Sequence, residues 1–342
     1  MPRRSRTDLK VSRLMALLQG HGTMLIIIQD YPDPDALAAA AALKEVANRA
    51  AVQCSVSHGG VVGRAENRAL VDYLNLNLRP LDDLDPTRFD LIAMVDTQPA
   101  AGNNSLAPGI TPQLVIDHHP IRRATRRAEY TEIRSHYGAT CTILYEYLEQ
   151  LQIVPDPPLA TSLLYGIRSD TQDLGRESTP ADTAAYLSLY PLSNPRMLTE
   201  IQRHRVPRAY FRMLARGLAN ARVHGTCVIS GLGDVNNPDM MGEVADLLLR
   251  CQGCEWALCY GFYAEKLLLS LRTWDADANA GRLMHRLVGR KGTGGGHDML
   301  AGGQVLLTNL SEGERRLLER TIQRRFLRLT GVKAAAAERL VD

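Results

Sequence analysis

Aromatic residues are scarce in this chain: they make up 5% of 342 residues, with only four Phe and two Trp. Proteins that bind long single strands of nucleic acid usually stack successive bases on a series of aromatic side chains, and no such series is arranged here. Net charge is also low, +3, too small by itself to require a nucleic-acid partner. Long apolar runs are missing as well. The longest, Ala36 to Leu43, has eight residues, against the roughly 20 that a membrane-spanning helix needs. The first residues, Met1-Pro2-Arg3-Arg4, are basic but lead into the amphipathic stretch Leu9 to Leu18, not a secretory apolar core. A cytoplasmic location and no membrane partner are expected. The six cysteines would be reduced there. Cys251 and Cys254 have zinc-knuckle spacing but no second such pair, so structural thiols are expected.

What is present is an ordinary globular composition, 45% hydrophobic and 23% charged, with length enough for two domains. Leu25 to Ile28, Val52 to Val56, Leu91 to Val95 and Leu114 to Ile116 read as short strands, the most apolar of them buried on both faces. Asp35 to Ala50, Ala65 to Leu74, Tyr137 to Leu151 and Leu159 to Ile167 read as helices. This alternation predicts an α/β fold with a mainly parallel sheet layered by helices. Turn chemistry at Tyr190 to Pro195 then breaks the pattern. Helix-like segments from Arg196 to Arg222 follow, and then a smaller α/β unit with a hairpin from Trp256 to Phe262 and Leu267 to Leu271. The expected division is a metal-binding domain at 1–190, a helical linker at 191–222 and a substrate-binding domain at 223–342, with the active site in the cleft between domains.

Sheets of this class bind ligands beyond the carboxyl ends of their strands. Pro32-Asp33-Pro34-Asp35, Asp96 and Asp117-His118-His119 fall there, and Asp170 follows a further apolar run. Singly, the first of these is good turn chemistry, with Asp35 as a helix N-cap. Asp117-His118-His119 is harder to treat as packing, because three titratable groups behind a buried strand are costly unless used. Carboxylates and imidazoles suit Mn²⁺ or Mg²⁺ better than thiolates would. Two such ions about 3.5–4 Å apart are a known device for phosphoryl hydrolysis. The charges of Asp33, Asp35, Asp96 and Asp170 would balance two divalent cations, and without metal the four would repel and partly protonate.

Gly294-Gly295-Gly296 reads as a turn whose backbone N–H groups face an anion, with His297 adding a donor. Arg282, Arg286 and Arg290 recur at four-residue spacing just before it, a pattern that a solvated helix face also produces. Arg122, Arg123, Arg126 and Arg127 follow the Asp-His-His triplet and would steer a polyanion toward it. Gly59-Gly60 and Gly63-Arg64 either line the same cleft or form a turn.

Five segments in order carry a family likeness: PDxDA at Pro32 to Ala36, VDT at Val95 to Thr97, Asp117 to His119, SxxGAT at Ser135 to Thr140, and GIxxDT at Gly166 to Thr171. SLR at Ser270 to Arg272 and GGGH at Gly294 to His297 extend it. Over about residues 20 to 310 the chain resembles the DHH phosphoesterase superfamily with its associated C-terminal domain, and is similar to the nanoRNase and phosphoadenosine-phosphate phosphatase type. The resemblance implies one ion on Asp33 and Asp96 and another on Asp35, Asp96, His118 and Asp170. It also implies that Asp117 orients a histidine, that His119 faces the substrate phosphate, and that Arg272, Gly294, Gly295, Gly296 and His297 bind substrate. One position departs from the pattern. Gln29 stands where the family usually has a metal-binding histidine, and a neutral amide carbonyl is a weaker ligand, so the ion on that side is expected to bind weakly, to be more strictly Mg²⁺ or Mn²⁺, or to enter only with substrate. Asp30 is a poor replacement, because adjacent strand side chains point to opposite faces.

The expected function is metal-dependent hydrolysis of short oligonucleotides or small phosphorylated nucleotides. One alternative is a single-strand exonuclease. Another is a non-catalytic nucleotide-binding regulator with a degenerate metal site, which Gln29 suggests and the other intact ligands oppose. The oligomeric state stays open, a homodimer included.

Overall fold

The computed structural model describes residues 6–296, 298–307, 310–332 and 337–341. His297 lies outside the described residues. The chain divides into two compact units, Met1–Arg205 and Val206–Asp342.

Among the described residues the first unit has six strands: β1 (Thr23–Ile27), β2 (Gln53–His58), β3 (Leu78–Pro80), β4 (Leu91–Val95), β5 (Leu114–Asp117) and β6 (Tyr130–Ile133). All pair in parallel, in the order β3-β2-β1-β4-β5-β6. The chain therefore winds outward from β1 to β3, then returns to lay β4 on the other side of β1. That reversal opens a crevice at the carboxyl ends of β1 and β4, the usual ligand position in such sheets.

Its helices are α1 (Arg6–Leu18), α2 (Pro34–Asn48), α3 (Ala65–Tyr73), α4 (Thr140–Gln150), α5 (Pro157–Thr171), α6 (Pro180–Leu189) and α7 (Pro195–Gln202). The alanine run makes α2 the central helix. Ala36 to Leu43 are all buried, and α2 contacts α3, α4, α5, β2 and β4. Small side chains let these helices approach closely, which brings the first turns of α2 and α4 together.

Three local expectations need correction. Asp33, not Asp35, is the N-cap of α2. Its extended backbone and its bond from the Ala36 N–H fit it for that position. The helix expected from Tyr137 begins only at Thr140. The helix expected at Leu159 to Ile167 is longer and takes in Asp170. Asp156 caps α5 and prolines occupy its first turn, so the helix runs from Pro157 to Thr171 and carries Asp170 in its last turn.

The second unit contains α8 (Arg208–Asn220), β7 (Arg222–His224), β8 (Cys227–Asp234), α9 (Met240–Leu248), β9 (Trp256–Tyr263), β10 (Lys266–Thr273), α10 (Ala280–Val288), β11 (Gly292–Gly296), β12 (Leu300–Leu306), α11 (Glu312–Leu329) and β13 (Glu338–Arg339). Its mixed sheet has the order β11-β12-β10-β9-β8-β7-β13. β8 and β9 pair in parallel, and β9 and β10 form an antiparallel hairpin. The boundary at Arg205 lies inside the segment read as a linker. α7 packs on α3 and α5 of the first unit, and α8 on β8 and α9 of the second.

The glycine triplet is also corrected. Gly294, Gly295 and Gly296 form an edge strand paired with Gly303, Gly302 and Ala301, not a turn. Close packing explains the glycines. A Cβ on Gly294 would meet Met284 Cγ at 2.9 Å, and one on Gly281 would meet the Gly296 carbonyl oxygen at 2.5 Å. Their absence lets α10 lie directly on the ribbon. Arg282, Arg286 and Arg290 are solvent-exposed.

Candidate metal centre

The crevice at the ends of β1, β4 and β5 collects Gln29, Asp33, Asp35, Asp96, Asp117, His118 and His119, and α5 adds Asp170. Asp35 is fully buried. Its two oxygens accept the backbone N–H groups of Thr140 at 2.7 Å and Cys141 at 2.8 Å, at the start of α4. A helix N-terminus with open N–H groups is a natural seat for a carboxylate. Asp96 follows β4 with φ +56°, a left-handed conformation that Asp tolerates better than most residues. Its Oδ1 accepts the Thr140 hydroxyl at 2.9 Å.

His118 Nδ1 lies 3.1 Å from the Tyr137 carbonyl oxygen. A carbonyl only accepts, so Nδ1 carries the proton and Nε2 faces the acids. Nε2 is 3.3 Å from Asp170 Oδ2 and 3.6 Å from Asp96 Oδ1. Ligating atoms of Asp35, His118 and Asp170 lie within 4.8 Å of one another, as do those of Asp96, Asp117, His118 and His119. Either group could hold a divalent cation. Asp117 Oδ1 faces His119 Nδ1 at 2.8 Å and accepts the His119 backbone N–H at 3.1 Å, so His119 is the histidine it orients.

The site's electrostatics match this donor set. Burial first, then the charges of Asp170 and Asp35, raise the Asp33 pKa from 3.8 to about 7. Burial, with Asp170 next, also raises Asp35. Burial and the charges of Asp35 and Asp33 push Asp96 well above the usual carboxylate range. His118 and Asp117 move the other way. Burial alone would lower His118, but the hydrogen bond and charge of Asp170 overcome it and lift its pKa to about 10. Burial would raise Asp117, but the His119 interactions outweigh it and hold the carboxyl well below its ordinary range. A buried group of mutually repelling carboxylates around an imidazole fits a cation.

Gln29 presents its amide nitrogen, not its carbonyl oxygen, to the acids. Nε2 donates to Asp33 Oδ2 at 2.8 Å and to Asp96 Oδ2 at 3.2 Å. Asp30 turns away and accepts the Gly59 N–H at 3.1 Å and the Ser105 hydroxyl at 3.0 Å. A Cβ on Gly60 would meet the Asp30 carbonyl oxygen at 2.1 Å. The Gly59-Gly60 pair therefore serves a close chain approach.

Two residues that organise the site escape sequence reasoning. Gln98 is 1% exposed. It donates to Asp117 Oδ2 at 2.7 Å and accepts the Arg122 N–H at 2.8 Å and the Thr125 hydroxyl at 2.7 Å. No charge or periodicity marks it; its place after the VDT segment was the only signal. Asp182 is buried and accepts the Gly138 N–H at 2.9 Å, fixing the loop that leads into α4. From sequence it reads only as part of a helix-start capping box with Thr179. Arg272 and the three glycines lie in the second unit. Arg272 Nε pairs with Asp246 Oδ1 at 2.5 Å, and its Nη1 donates to Ser270 Oγ at 2.8 Å.

Comparison with known proteins follows the same outline. The sequence model for the N-terminal domain of the DHH family matches residues 24–167. An uncharacterised protein of Methanocaldococcus jannaschii is 33% identical over 325 residues, covering 91% of this chain and 64% of that relative. The chain thus spans under two-thirds of that relative's length. An exopolyphosphatase-related protein from Bacteroides fragilis superposes with a TM-score of 0.69 at 13% identity, over 94% of this chain and 98% of the other. RecJ from Thermus thermophilus, solved with Mn²⁺, gives 0.50 at 15% identity, over 96% of this chain and 56% of RecJ. At these identities the two structures speak to fold alone. No helix among the described residues is long and apolar enough to cross a membrane. Family match, parallel sheet and acidic crevice agree: residues 24–167 match the DHH family's N-terminal domain.

Proposed function

We propose that this protein is a divalent-metal-dependent phosphoester hydrolase acting on short oligonucleotides or small phosphorylated nucleotides. The observation that carries the reading is the convergence of Asp35, Asp96 and Asp170 on His118 at the sheet's switch point, with Asp35, Asp96 and His118 buried. In this reading those four residues hold Mn²⁺ or Mg²⁺. Such a cation neutralises phosphoryl charge and acidifies water. The chain's own residues do the rest. Thr140 and the start of α4 fix the orientations of Asp96 and Asp35. His119, held by Asp117, faces the substrate phosphate where charge develops. In the second unit, proposed as the family's associated domain, Arg272, Gly294, Gly295, Gly296 and His297 bind the substrate's phosphate or base. Arg272 reaches a phosphate by exchanging its Asp246 partner.

The test is a hydrolysis screen with Mn²⁺, Mg²⁺ or chelator over linear dinucleotides, 3′-phosphoadenosine 5′-phosphate, short oligomers and long single strands. Inorganic polyphosphate joins it because the Bacteroides fragilis structure is exopolyphosphatase-related. Metal-dependent turnover strongest on the short substrates is expected. Activity rising with strand length would favour the exonuclease alternative. Binding without turnover of any substrate would favour the regulatory one and defeat the proposal.

A further inference from the structure

We infer that the side-chain amide of Gln29 takes the place of one cation, so that the free protein holds a single divalent ion beside Asp35, His118 and Asp170. The inference rests on the proposed metal centre but not on any substrate.

Asp33 and Asp96 are the two carboxylates that a cation on the Gln29 side would join. All four of their oxygens already have a donor from the protein. Asp33 Oδ1 accepts the Ala36 N–H at 2.9 Å, and Asp96 Oδ1 accepts the Thr140 hydroxyl at 2.9 Å. The remaining oxygens share the Gln29 amide nitrogen, at 2.8 Å and 3.2 Å. An amide NH₂ has two hydrogens, so one group can bridge two carboxylates. The nitrogen end suits this position, because an ionised carboxylate only accepts. The amide thus does between these acids what a cation would do: it puts positive partial charge between the two carboxyl groups.

The same geometry opposes a resident ion there. The nitrogen stands where a cation would have to sit, and hard divalent ions need oxygen ligands at about 2.0–2.6 Å. To offer its oxygen, Gln29 must turn its amide over and surrender both hydrogen bonds. Among the described residues, Asp33 joins neither group of converging ligand atoms, whereas Asp35, His118 and Asp170 form one without it. The two halves of the centre therefore differ in what stands between the acids: on one side an amide nitrogen, which is no metal ligand, and on the other the His118 imidazole nitrogen, which is one. A histidine at position 29 could not make this bridge, since each ring nitrogen carries at most one hydrogen.

The experiment is Mn²⁺ titration of the metal-free full-length chain, without substrate, by calorimetry and by electron paramagnetic resonance. One Mn²⁺ per chain, with the hyperfine-split signal of an isolated ion, is expected. Gln29→His is expected to take two, with that signal lost to a spin-coupled pair. Two coupled ions in the unmodified protein would overturn the inference and leave the hydrolase reading intact. No bound ion would overturn both. A folded Gln29→His variant that still takes one ion would show that Gln29 is not what excludes the other. Should that variant fail to fold, the stoichiometry of the unmodified protein decides the matter alone.

Discussion

Gln98→Leu separates the role of a buried amide from that of its hydrophobic volume. The substitution keeps similar bulk at a position 1% exposed. It removes the donor to Asp117 Oδ2 and the acceptor shared by the Arg122 N–H and the Thr125 hydroxyl. Losing a donor to a buried carboxylate costs about 1.5–3 kcal/mol. Two polar groups left short of an acceptor add roughly 1–3 kcal/mol between them. Partial rearrangement offsets some of this, so a net loss of about 2–5 kcal/mol is expected. In a unit of roughly 200 residues each kcal/mol lowers Tm by about 2–4 °C, which makes the drop roughly 4–20 °C. Asp117 also orients His119, so hydrolysis of a short substrate at saturating metal should fall about ten- to hundredfold. Circular dichroism melts and steady-state kinetics measure the two effects. A variant within about 2 °C of wild type, with unchanged turnover, would refute the view that Gln98 braces the triplet.

Asp96→Asn should abolish metal-dependent turnover while the metal-free protein melts at the same temperature or higher, because Asn tolerates the left-handed backbone and cannot acquire a charge among the neighbouring acids. Activity within about tenfold of wild type at saturating metal would contradict Asp96 as a ligand. Asp182→Ala removes the acceptor for the Gly138 N–H, the Thr179 N–H and the Thr142 hydroxyl. It should cost about 2–4 kcal/mol in urea denaturation and weaken Mn²⁺ binding, since the α4 start that fixes Asp35 loses its anchor; undiminished metal affinity would count against that link. The chelated protein should lose stability as pH rises. Asp33 has its pKa raised from 3.8 to about 7, so the fold holds more protons than the unfolded chain in that window and stability declines across it. Asp35 and Asp96 act in the same direction. The stabilisation from His118 is complete below its unfolded value of 6.5 and lost as pH rises through about 10. Melting temperature should therefore fall from about pH 5 to 8 under chelation and recover most on adding Mn²⁺ at the upper end; a flat chelated profile would refute it.

Much of this protein is written locally. A strand or helix announces itself by side-chain spacing within a few residues, so the apolar runs at Leu25, Leu91 and Leu114 and the alanine-rich helix after Asp35 were legible. Acidic residues directly after two of those runs had to emerge at the carboxyl edge of a parallel sheet, which made Asp33, Asp96 and the Asp117 triplet visible as a group. Only the tertiary structure decided which atom each side chain offers and to whom. The Gln29 amide points its nitrogen inward because Asp96, 67 positions along the chain, supplies a second acceptor. Asp35 is seated by N–H groups more than 100 positions away. The glycine triplet is a strand because it pairs with Gly303, Gly302 and Ala301 of β12, although its composition alone fits a turn equally well. Gln98 is neutral and carries no periodic signature, so nothing nearby in sequence marks it. Hydrogen-bond direction and close packing depend on groups brought together from distant parts of the chain, and local spacing does not encode them.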